Sequence, residues 1–150
     1  MTRSDEGFTL AEMLVVLGVL ALTAALALPV TRQSAAGQEF VSFSRALAGL
    51  LREARLQAIS QNRDTAVTLD FTRHLASAAA PGRELVIPDT LTVTAVTARG
   101  DVARSTATFR FFADGGATGG TIRLKAGLQQ RAIAISWLTG SIVISDGAKP

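Results

Sequence analysis

The chain has 150 residues, enough for one small domain plus a membrane-length segment but not for two full domains. With no cysteine and a single histidine, it excludes a disulfide framework, thiolate chemistry and any metal site built on a histidine pair. The formal net charge of +3 comes from scattered bases with no run of five or more, which reads as a solvated surface.

Met1–Glu6 holds one base, Arg3, and two acids, Asp5 and Glu6. From Gly7 the sequence reads Gly-Phe-Thr-Leu-Ala-Glu-Met-Leu, then runs apolar to Leu28, with Pro29 next. As a helix, Phe8–Leu28 extends about 30 Å at 1.5 Å per residue, enough to cross a hydrocarbon core. Glu12 is the anomaly. An ionised carboxylate near the centre of a membrane helix costs roughly 2.5–3.5 kcal/mol, so an acid kept there needs a partner.

Three readings of this segment compete. It is a permanent single-pass anchor, or an ordinary secretory signal cut after Ala27, or a segment cut before the apolar stretch and retained as the subunit's first helix. The ordinary signal fits poorly, because its leading region should be basic and its apolar core should lack a residue such as Glu12. Arg3 on one side and Arg32 and Arg45 on the other do not orient the span by the positive-inside rule.

Past Pro29, which should bend or break the helix, the apolar pattern becomes one-sided. Phe40, Phe43, Leu47, Leu50, Leu51, Ala54 and Ala58 recur at steps of three and four, predicting an amphipathic helix from about residue 34 to 62. Its stripe is expected to be domain core, although a helix from another subunit could cover the end at Phe40. Gly37 and Gly49 weaken it locally.

From Thr65 the period becomes two. Strands are expected at Thr65–Phe71, Glu84–Ile87, Leu91–Thr97, Thr106–Phe112, Thr121–Lys125, Ala132–Leu138 and Ser141–Ser145, with Thr139-Gly140 as a tight hairpin connection. Arg73–Arg83 reads as an exposed loop and Asp114–Gly120 as a flexible turn. The whole is an α+β chain, a long N-terminal helix packed on an antiparallel sheet or small β-sandwich.

No active site is legible. His74 would have to join a triad from a loop, without a Gly-x-Ser-x-Gly elbow, and the glycines of Gly115–Gly120 lack the Gly-Lys-Ser/Thr end of a phosphate cradle. Asp70, Asp89 and Asp101 lie near strand ends or turns, where carboxylates satisfy backbone donors. Trp137 is expected to fill the core beside Ile133 and Ile135. The sequence predicts no catalytic residue, no metal and no cofactor.

Gly7-Phe8-Thr9-Leu10 with Glu12 resembles the class III leader motif of type IV pilins and pseudopilins. Phe43–Ala58, Gly119–Leu124 and Ile135–Ile144 resemble the GspH/FimT family of minor pseudopilins. The resemblance implies a pilin-like fold in three parts: a leader, residues 1–7; a membrane and filament-core helix, residues 8–30; and a periplasmic domain, residues 31–150. It further implies that prepilin peptidase cuts between Gly7 and Phe8 on the cytoplasmic side of the inner membrane and methylates the new amine of Phe8. Glu12 would then meet the amine of a neighbouring subunit's Phe8.

Partners implied are other pseudopilins or pilins, the peptidase and membrane lipid. The function implied is a minor pseudopilin of type II secretion. The rival within the family is a FimT-like minor pilin engaging nucleic acid, for which Arg104, Arg110, Arg123, Lys125 and Arg131 are the candidate contacts. A secreted β-domain released after Ala27 is the third expectation.

Overall fold

The computed structural model describes residues 9–79, 82–97, 102–103 and 105–147, and among these the side chains of 25–36 and 102–103 are not described. The chain divides into two units, Met1–Ala35 and Ala36–Pro150.

A single helix, α1, spans Leu10–Ser60, 51 residues. Of the bend or break expected at Pro29, the break is absent. Proline removes one intrahelical donor and crowds one carbonyl, and the helix-favouring residues on either side carry the remaining turns past it. The helix expected over 34–62 is accordingly the second part of α1.

Its C-terminus is a Schellman motif. Asn62 adopts a left-handed φ of 49°, the Arg63 N–H donates to the Ala58 carbonyl at 3.1 Å, and the Asn62 N–H donates to the Ile59 carbonyl at 3.3 Å. The chain thus turns sharply into the first strand.

Ala36–Pro150 carries two antiparallel sheets. The first has the order β3 (Glu84–Val86), β2 (Leu75–Ala78), β1 (Thr65–Asp70), β6 (Thr106–Phe111), β5 (Val102–Ala103). The second has the order β4 (Thr92–Thr97), β7 (Gly120–Ala126), β8 (Gln129–Ile135), β9 (Ile142–Asp146). One core joins the predicted helix stripe to Val67, Leu69, Phe109 and Phe111 of the first sheet and to Ile122, Leu124, Ile133 and Ile135 of the second. Phe40 is 2% exposed and lies under the Arg131 guanidinium, 5.7 Å from the ring centroid. Its own unit covers it, so no second subunit is needed there.

Beyond Pro29 there are four further departures from expectation. Arg73–Arg83 is not simply a loop, because it contains β2, whose Ala76 and Ala78 are buried and pair with Leu69 and Val67 of β1. Two-residue β5 was not expected at all. Asp114–Gly120 is not a loose turn: positions 115–119 are buried, Phe112 N–H donates to the Gly116 carbonyl, and Ala117 N–H donates to the Trp137 carbonyl, each at 3.0 Å.

The fourth is Trp137, which is 68% exposed. Strand β8 stops at Ile135, and the connection to β9 takes residues 136–141 rather than Thr139-Gly140 alone, closed by Ser136 N–H to Ser141 O and Gly140 N–H to Ser136 O. That turn swings residue 137 away from the inward parity of Ile133 and Ile135. Trp137→Ala should therefore shift unfolding stability by no more than about 0.5 kcal/mol, read by thermal denaturation of the purified chain. A larger loss would place the indole in the core after all.

Candidate functional site

The N-terminal end of α1 is built by Thr9. Its Oγ1 accepts the Glu12 N–H at 3.3 Å, and its carbonyl accepts the N–H groups of Glu12 (3.0 Å) and Met13 (3.2 Å). Thr9-x-x-Glu12 is the spacing of a capping box, with threonine satisfying orphan donors of the first turn. The sequence reading missed this role of Thr9, although Thr-x-x-Glu ahead of an apolar run is its recognised signal. The cap starts the helix beyond Phe8 and holds Glu12 in the first turn, where the positive end of the helix dipole favours a carboxylate by about 0.3–1 kcal/mol.

Over residues 10–24 the helix has no polar face to offer water. Leu10, Leu14, Val15, Leu17, Val19, Leu20 and Leu22 are all more than half exposed, Leu10 reaching 81%. A helix that is apolar all round must be covered by lipid or by other helices. Among the described residues no helix is long and apolar enough to cross a membrane; the expected segment, residues 8–30, extends beyond them at Phe8 and in the side chains of 25–30. Gly7 and Phe8, the expected cleavage and methylation site, also lie outside the described residues.

Of the five basic residues proposed for nucleic acid, the four that are described do not form one surface. Arg110 is on the outer face of the first sheet, opposite Ala66. Arg123 and Lys125 stand on the outer face of the second sheet, since Ile122 and Leu124 between and beside them point inward. Arg131 has the opposite parity. Its Nε donates to Asp146 at 2.8 Å and its guanidinium to the buried Ser44 hydroxyl at 2.9 Å, so it ties β8 to β9 and to α1. Arg104 lies outside the described residues.

Candidate acids and the histidine do structural work. Asp70 accepts the N–H groups of Thr72 and Arg73, both at 2.9 Å, and turns β1 into β2. His74 Nδ1 meets Asp89 at 2.8 Å on the surface. Asp101 lies outside the described residues.

Comparison with known proteins agrees with this geometry. Residues 2–28 match the prokaryotic N-terminal methylation motif, and residues 44–140 match the family described as type II transport protein GspH. Type II secretion system protein H of Xanthomonas campestris pv. campestris is 30% identical over 141 residues, 93% of this chain and 83% of that protein. Two solved structures share the fold. The type IV minor pilin FimU of Pseudomonas aeruginosa has a TM-score of 0.59 at 23% identity, over 75% of this chain and 92% of that one. The minor pseudopilin EpsH of the Vibrio cholerae type 2 secretion system has a TM-score of 0.56 at 13% identity, over 73% and 97%. The α+β architecture described above is thus pilin-like.

Proposed function

From the premise that the chain belongs to the GspH family of type II transport proteins, we propose that it is a non-catalytic filament subunit, a minor pseudopilin that assembles through the first part of α1. One observation carries this reading: a capped helix that exposes apolar side chains on every face yet keeps a carboxylate in its first turn. Lipid covers such a surface before assembly, and neighbouring helices cover it afterwards. The methylation motif over residues 2–28 supports anchoring in the inner membrane, with Ala36–Pro150 on the periplasmic side.

In this account prepilin peptidase removes residues 1–7 and methylates Phe8. Cleavage creates a cationic amine at the positive end of α1, an unfavourable place for it. A neighbouring subunit's Glu12 compensates that charge and in turn receives the partner that a buried acid requires. Other pseudopilins are the partners, through α1.

N-terminal sequencing and intact mass of the membrane-extracted protein test this. The expected product lacks residues 1–7 and carries one added methyl group on Phe8. A chain starting at Leu28 would overturn the proposal in favour of ordinary secretion. The nucleic-acid reading has less support, because Arg131 is engaged by Asp146 and Ser44 while Arg110 and Arg123 sit on different sheets.

A further inference from the structure

We propose that the edge strand β4 is a docking site for an extended, acidic segment of another protein, which adds to the second sheet as a further strand. β4 pairs with β7 on one side and ends the sheet on the other. Its sequence, Thr-Val-Thr-Ala-Val-Thr, has none of the charges, prolines or bulges that blunt a free edge. Among the described residues no strand pairs with that second edge, which leaves its row of backbone donors and acceptors to an added strand.

Both sides of that edge are furnished. On the outer face, Thr92 stands opposite Lys125 and Thr94 opposite Arg123. All four are exposed, and among the described residues neither base has a carboxylate within 4.0 Å. The threonines are short, and Arg and Lys are longer than one inter-strand spacing of about 4.8 Å. An added strand lies two spacings, about 9.6 Å, from β7. Arg123 and Lys125 line the outer-face groove together with Thr92 and Thr94, and a long acidic side chain on the added strand meets them over the short threonines.

On the other side, an open pocket of about 230 Å3 is lined by Leu91, Thr92 and Val93 together with Phe71, His74 and Ile87. An added strand points successive side chains to opposite faces. The fitting sequence alternates acids, facing Arg123 and Lys125, with apolar residues entering the pocket. Nucleic acid fits less well: two free bases offset few phosphates, and a phosphate backbone cannot satisfy a strand edge. The site uses residues of Ala36–Pro150 alone and is independent of the assembly role of Glu12.

The test uses the full chain in detergent micelles and a blocked, fluorescent peptide, Thr-Glu-Val-Glu-Val-Thr, followed by anisotropy. Expected are saturable binding, slowed amide hydrogen exchange within Thr92–Val96, and at least tenfold weaker binding to the Arg123→Glu/Lys125→Glu double variant. A peptide with lysine replacing both glutamates should reverse the preference between the two proteins. Both substituted positions are exposed, and circular dichroism checks that the fold is kept. No binding, equal binding by the double variant, protection away from β4, or capture of a DNA duplex in place of the peptide would each overturn the proposal.

Discussion

On the proposed assembly, replacing Glu12 by Ala should leave cleavage before Phe8 intact and remove the subunit from the filament. Two effects act in the same direction. In lipid, loss of the carboxylate relieves part of the insertion cost of a charge, less than the roughly 2.5–3.5 kcal/mol it has at a helix centre because Glu12 lies in the first turn, so the variant is held more firmly in the membrane. In the proposed bundle of helices, loss of one partner would leave the neighbouring Phe8 amine buried and uncompensated, at about 3–5 kcal/mol.

Each 1.4 kcal/mol is a factor of ten. Incorporation measured by cross-linking to partner pseudopilins should therefore fall by about two orders of magnitude or more, while the membrane level of processed protein holds. Glu12→Gln separates charge from shape and should fail nearly as badly. Thr9→Ala is the control for capping. It removes the hydroxyl that accepts the Glu12 N–H, costs about 1 kcal/mol of helix stability, and should weaken incorporation far less than loss of the charge. Normal incorporation of Glu12→Ala would remove the carboxylate from the assembly mechanism.

The parts of this fold legible in the sequence are those where one periodicity acts alone. The stripe from Phe40 to Ala58 repeats at helical spacing and is buried throughout. Val67 and Leu69 in β1, and Ile122 and Leu124 in β7, alternate with outward residues and are buried as strand parity requires. The misses occur where a neighbour overrides the local signal. β2 is built on Ala76 and Ala78, which have little strand preference; they are buried by pairing with β1, a contact between segments that no local pattern reports. Trp137 continues the parity of Ile133 and Ile135, yet the turn closed by Gly140, at φ 61°, ends the strand first. Pro29 was weighted as a helix breaker, and a helix of 51 residues absorbs it. At the candidate site, the anomalous acid was visible at once. The Thr9 cap that fixes its place in the first turn carries the Thr-x-x-Glu signal ahead of the apolar run, where the hydrophobic pattern outweighs it.

Glycine shows the same limit most sharply, because identical substitutions at two positions should change stability in opposite directions. Gly120 opens β7 at φ 143°, in register with Thr97 of β4 and Ile135 of β8. A Cβ there would fall 2.4 Å from the Val96 carbonyl oxygen and 3.0 Å from the Phe109 ring. The first obstacle is backbone and the second is a fully buried ring, so neither gives way cheaply. Gly120→Ala combines backbone strain of about 1–3 kcal/mol with overpacking of similar size. The expected loss of about 3 kcal/mol or more is a large share of the total stability of such a domain. Gly49 is an exposed position inside α1 with nothing within 4 Å of the added carbon. Gly49→Ala should gain about 0.5–1 kcal/mol from restored helix propensity. Paired denaturant titrations of the two variants decide the matter. A mild effect at Gly120 would mean that β4 is free to shift away from β7, and the close approach of Val96 to β7 would then not be a fixed feature of the second sheet.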